Sequence, residues 1–182
     1  MLKKKIVASL IVLGSLLTFF VGTTLAYFVS ASKPLINTFT IGKIQLELTE
    51  TTGANYALVP GITVEKDPKI TVKAGSEACW LFVQLKKANG VDDYVSYQVS
   101  DGWTLLGGND GVYYRSVAKT QEDVAYTVLK DNQITIKDTV TEEQASLITS
   151  KPKLTVYAYA VQSDSVATAA EAWTIMQANL QE

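Results

Sequence analysis

From Thr38 onward, apolar side chains fall at alternate positions in short runs, each closed within a few residues by glycine, proline, asparagine or aspartate. A period of two suits half-buried strands, because helical faces repeat every three or four residues. The chain therefore reads as an all-β sandwich. Phe39 and Ile41 fall on odd positions whereas Ile44, Leu46 and Leu48 fall on even ones, so a β-bulge is expected at Gly42-Lys43. Thr51 to Asn55 reads as loop, and Pro60-Gly61 as a turn. Ile70 and Val72 form the next strand. Cys79-Trp80-Leu81-Phe82-Val83 is apolar on both faces and is the expected central strand. Tyr94 to Val99 alternates again. Trp103 to Leu106, Gly107 to Gly111 and Val112 to Arg115 spell a hairpin. Tyr126 to Leu129, Ile134 to Ile136 and Leu154 to Val161 complete the set.

Two stretches carry helical signals. Thr141 with Gln144, and Thr168 with Glu171, have the spacing of a capping box. In the second, Ala169, Ala170, Ala172, Trp173, Met176 and Leu180 form a 3.6-residue stripe, expected to pack a C-terminal helix on the sandwich.

Ahead of this domain, Lys3-Lys4-Lys5 precedes 23 residues, Ile6 to Phe28, without a charged side chain. A basic lead, an apolar stretch and the small residues of Thr24-Leu25-Ala26 have the form of a secretory signal helix, with the cut between Ala26 and Tyr27. The rival reading is an uncleaved anchor, since this length spans a hydrocarbon core of roughly 30 Å. In both readings the remainder of the chain is outside the cell, and the membrane is touched only through this segment. The expected division is a signal peptide over 1–26, an N-terminal extension over 27–37, and the sandwich with its C-terminal helix over 38–182.

Removing Lys3, Lys4 and Lys5 takes the 16 basic side chains to 13 against 18 acidic ones, a net charge of −5. With Arg115 as the single arginine, a nucleic-acid partner is not expected. The chain has no histidine, which removes the commonest metal ligand and the commonest general base. Cys79 is alone and in the most apolar run, so a packed thiol is expected instead of a disulfide or a nucleophile. Asp92, Asp93, Asp101 and Asp110 flank turns without calcium-loop spacing. No lipid-attachment cysteine and no wall-sorting LPxTG sequence is present.

Several segments, in order, carry a resemblance. They are Thr23-Thr24-Leu25-Ala26-Tyr27-Phe28 before Asn37-Thr38-Phe39-Thr40-Ile41-Gly42, then Val59-Pro60-Gly61 and Lys66-Asp67-Pro68 before Ile70-Thr71-Val72. Gly75-Ser76-Glu77-Ala78-Cys79-Trp80, Gly102-Trp103, Gly111-Val112-Tyr113-Tyr114-Arg115 and Ala169-Ala170-Glu171-Ala172-Trp173 follow. This ordered set resembles the TasA and camelysin family of Gram-positive secreted proteins, whose signals are cut by a SipW-type peptidase. The resemblance implies a jelly-roll-like sandwich, export to the matrix or cell surface, and a place in biofilm fibres. It also implies that subunits join when the mature N-terminal segment of one fills a groove in the next. Here that segment would be Tyr27, Phe28, Val29 and Ala31, with Pro34 as the break before the domain. Burying such side chains is worth about 1.5–3 kcal/mol each, so a freed apolar end needs cover from its own core or a neighbour's.

Two other function classes bear on the same residues. Tyr113, Tyr114, Tyr157 and Tyr159 have the chemistry of a sugar-stacking surface, which would make a monomeric glycan-binding module. Camelysin-type relatives suggest a metalloprotease, but a zincin needs two histidines one helical turn apart, and no Ser-His or Cys-His pair can form either. The sequence reading is thus a non-enzymatic matrix subunit with no catalytic, metal or cofactor-binding residues. N-terminal sequencing of the exported protein is expected to begin at Tyr27; a product still beginning at Met1 would make the lead an anchor.

Overall fold

The computed structural model describes residues 28–30, 40–41, 43–52, 55–141, 143–144, 148 and 151–180. The expected signal segment, with Ala26, Tyr27 and Ala31, lies outside them. In chain order the strands are β1 (Phe28–Ser30), β2 (Thr40–Ile41), β3 (Leu46–Thr49), β4 (Asn55–Ala57), β5 (Thr63–Glu65), β6 (Lys69–Val72) and β7 (Cys79–Ala88). After a short helix α1 (Val91–Tyr94) come β8 (Val95–Ser96), β9 (Thr104–Leu105), β10 (Val112–Val117), β11 (Val124–Thr127), β12 (Gln133–Ile136) and β13 (Lys153–Gln162). Helix α2 (Ala169–Asn179) closes the order. The protein is all-β, and no helix among the described residues is long and apolar enough to cross a membrane.

Five strands form the sheet β2-β13-β7-β10-β9, antiparallel except where β2 runs parallel to β13. Two three-stranded sheets, β11-β6-β3 and β5-β12-β8, and the pair β1-β4 complete the topology. Alternation divides the large sheet between two cores. Leu81, Val83 and Leu85 of β7, with Val156, Ala158 and Ala160 of β13, share one core with Ile70, Val72, Ile134 and Ile136 of the smaller sheets. Phe82, Val112, Tyr159 and Val161 point the other way, against Ala169, Ala172, Trp173 and Met176 of α2. β7 is thus central, as its two apolar faces require.

Helix α2 starts where its cap dictates: the Thr168 hydroxyl accepts from the Glu171 amide at 3.2 Å. The Trp173 ring lies 5.2 Å from Phe82 and 5.6 Å from Tyr159, and its Nε1 donates to Asn109 Oδ1 at 3.1 Å. The stripe is narrower than the period suggested, because Ala170 and Leu180 are exposed. At Thr141 and Gln144 the reciprocal capping bonds form, at 3.0 and 3.1 Å.

Three expectations need correction. The phase slip after Ile41 is a change of sheet, not a bulge within one strand: β2 pairs with β13, and β3 pairs with β6. Tyr94 to Val99 is not a continuous strand, since α1 takes Tyr94, β8 covers two residues, and Val99 makes only an isolated bridge to Leu129. Asn55, read as loop, belongs to β4.

The β9–β10 hairpin depends on Gly111. Its φ of +71° is left-handed, and a Cβ there would sit 2.6 Å from the Leu85 carbonyl oxygen. Gly107 has open space around it and an ordinary φ. Gly111→Ala is expected to cost about 1–3 kcal/mol in urea unfolding, whereas Gly107→Ala should stay within about 0.5 kcal/mol. Equal effects at the two positions would contradict this account of the turn.

Candidate functional site

The segment expected to seek a neighbour's groove is paired within its own chain over Phe28–Ser30. β1 runs antiparallel to β4, with Phe28 opposite Ala57, Val29 opposite Tyr56 and Ser30 opposite Asn55. Among the described residues β4 has no other strand neighbour. Cα atoms of β1 also come within 8 Å of β13.

A polar network fixes the base of β4. The Lys66 ammonium is buried and meets Glu50 at 2.6 Å, with Glu50 itself almost covered. The Tyr56 hydroxyl donates to the Thr52 carbonyl at 3.1 Å and lies 3.3 Å from Glu50 Oε1, and Lys66 Nζ sits 5.8 Å from the centre of the Tyr56 ring. Asp67 Oδ1 accepts from the Thr51 amide at 2.8 Å and from the Thr52 amide and hydroxyl at 3.0 and 2.8 Å. The Lys66 amide donates to the Asn132 carbonyl at 2.7 Å, which ties the network to the turn before β12. An ion pair this far from water holds only with such hydrogen bonds around it, and removing one partner strands the other charge.

The titration behaviour follows from the geometry. Burial pushes the Tyr56 phenol up to about 12, reinforced by the Glu50 charge and opposed by the Thr52 hydrogen bond. At Asp67 burial also acts upward, but the side-chain and backbone bonds from Thr51 and Thr52 outweigh it and hold the carboxyl at about 2.

None of these network residues stood out as a site in the sequence, although a signal was present. Glu50 continues the even-numbered parity of Leu46 and Leu48, and Lys66 continues that of Val64. Period two therefore turns two opposite charges inward, which asks for pairing.

The four tyrosines do not form one surface. Tyr113 packs with the core shared by the three larger sheets, whereas Tyr114 lies on the α2 side, 5.9 Å from Trp80. Tyr157 and Tyr159 stack at 6.3 Å, with Tyr159 buried against Trp173. Cys79 is fully buried and its thiol is pushed up to about 11 by that burial. Among the described residues no three of histidine, cysteine, aspartate and glutamate gather as metal ligands. A cleft of about 300 Å³ beside β8 and β12 includes Ser96, Tyr97, Lys130 and Asp131, and the Ser96 hydroxyl donates to the Thr135 carbonyl at 3.4 Å.

No family model, curated protein or solved structure matches this chain. The geometry therefore defines a class only: an all-β protein whose first described strand pairs with β4, beside a buried ion pair.

The Asp67 carboxyl binds its proton less tightly when folded than at its ordinary value of 3.8. Its contribution is therefore complete above that value and lost as pH falls through about 2. Allowing for solvent screening, it is worth roughly 1 kcal/mol. Asp67→Asn is expected to lower neutral-pH stability by about that amount and to flatten the decline between pH 4 and 2. An unchanged acid profile in urea unfolding would remove Asp67 from the network.

Proposed function

We propose that this protein is an exported, non-enzymatic structural subunit of an extracellular matrix or cell surface, related to the TasA and camelysin group. In this reading the lead is cut between Ala26 and Tyr27 by a SipW-type peptidase of a Gram-positive cell, and the sandwich has jelly-roll connectivity. Subunits join when the segment around Tyr27, Phe28, Val29 and Ala31 leaves its own β4 and adds to the β4 of a neighbour. The partners are further copies or related matrix subunits.

The observation that carries the reading is that β1 is the sole strand neighbour of β4 among the described residues. A strand that leaves exposes an unpaired edge, and a second copy of the same strand satisfies that edge equally well. Residues 31–39 separate β1 from β2, and nine extended residues reach about 30 Å, enough to span a contact between two molecules. Pairing within the chain is then the closed monomer, and exchange between copies is the polymer. The network around Lys66 keeps the acceptor in shape while the donor is away.

A cysteine pair at Phe28 and Ala57, which face each other in the register, locks the closed form. Oxidised Phe28→Cys/Ala57→Cys protein is expected to remain monomeric by light scattering and to show no fibres by electron microscopy, with fibres returning on reduction. Deletion of 27–32 should likewise leave a folded monomer. Fibres of normal yield from the oxidised pair, or an unmodified protein that stays monomeric at high concentration, would sink the proposal.

A further inference from the structure

Among the described residues, none accepts a hydrogen bond from the Arg115 side chain. Arg115 lies on β10 on the same face as Tyr113 and Val117, at the side of the molecule where β10 and the edge strand β11 come together. Its Cζ is 4.2 Å from the centre of the Tyr126 ring and 5.3 Å from that of Trp103. Trp103 is itself fixed by donating from Nε1 to the Thr127 carbonyl at 2.9 Å. The Arg115 Nε is buried without a hydrogen-bond partner. None of the ion pairs among the described residues includes Arg115, and Asp101, adjacent in sequence to Gly102, does not pair with it.

The two rings account for where the positive charge sits, but they satisfy none of the guanidinium's five N–H donors. A buried donor without a partner is rare in folded proteins and calls for an acceptor from elsewhere. Gly102 lies close against the guanidinium: a Cβ there would sit 3.0 Å from Nη2, and its φ of +84° favours glycine in any case. We propose that Arg115, walled by Trp103 and Tyr126 and flanked by Gly102, is a receptor for a carboxylate. The flat fork of a guanidinium matches two coplanar oxygens. Among the described residues no lysine stands over the same two rings, so the site offers one positive charge and suits a monoanion better than a phosphate dianion. The carboxylate comes either from a small acid or from an aspartate or glutamate of a second copy of this chain. This assignment is independent of the strand-exchange reading.

The single arginine makes the test direct, because ¹⁵N-labelled protein has one Nε–Hε correlation and it belongs to Arg115. Sodium acetate is expected to shift that signal along a saturating curve, while sodium chloride at equal ionic strength gives only a small linear drift. A shift with protein concentration alone, reversed by acetate, assigns the carboxylate to a second copy; its absence alongside acetate saturation assigns it to a small acid. Arg115→Lys, checked for folding by its amide spectrum, should weaken the acetate response at the Trp103 indole at least tenfold. The proposal is overturned if inorganic phosphate saturates and acetate does not, if neither saturates and dilution changes nothing, or if the lysine variant responds like the parent.

Discussion

From Cys79 to Leu85, β7 is buried except at Trp80 and Gln84, which are partly covered, and the rest of the fold follows from that. β13 pairs along one edge and β10 along the other, while the small sheets cover one face and α2 the other. A strand enclosed on four sides can be apolar at every position, and each such side chain contributes about 1.5–3 kcal/mol when covered. Where the β10 pairing ends opposite Gln84, the strand turns charged, and Lys86 and Lys87 are exposed. The other elements act as cover for this one. Even α2 is there because Phe82 and Tyr159 point away from the main core and need something over them.

Much of this was legible in the sequence because it rests on local period. The two apolar faces of Cys79 to Val83, the glycines between Leu106 and Val112, and the Thr168 cap each encode their own geometry. What stayed hidden depends on pairing at long range. The phase change after Ile41 has the same pattern whether the chain bulges or crosses to another sheet, and only the partners of β2 and β3 distinguish the two. The alternation of Tyr94 to Val99 lost to the α1 turn, where Gly90 and Asn89 take left-handed backbone. Tyr113 and Tyr114 looked like one surface because adjacent positions of a strand are neighbours in sequence and opposites in space, which sets Tyr113 apart from the other three. The base of β4 was hidden differently. Glu50 and Lys66 read as ordinary surface charges until the parity of their neighbours is followed inward.

That inward charge has a structural use which apolar packing would not supply. An apolar plug beneath β4 would tolerate sliding, since hydrophobic contact has no direction. Lys66 against Glu50, and Asp67 against the Thr51 and Thr52 amides, fix the residues just before β4 in one arrangement. Such pairs add little to net stability but discriminate against near-native alternatives. A strand whose proposed role is to receive a partner in a defined register gains from that discrimination.

The buried thiol of Cys79 carries a practical consequence for the chain's chemistry. Burial pushes its pKa up to about 11, which keeps the reactive anion scarce at neutral pH. Peroxide, oxidised glutathione and maleimide reagents therefore meet an inert sulfur for as long as the sheet is closed. The molecule needs no protecting reductant. Labelling of that sulfur would report, like a tripwire, the moment the central sheet opens.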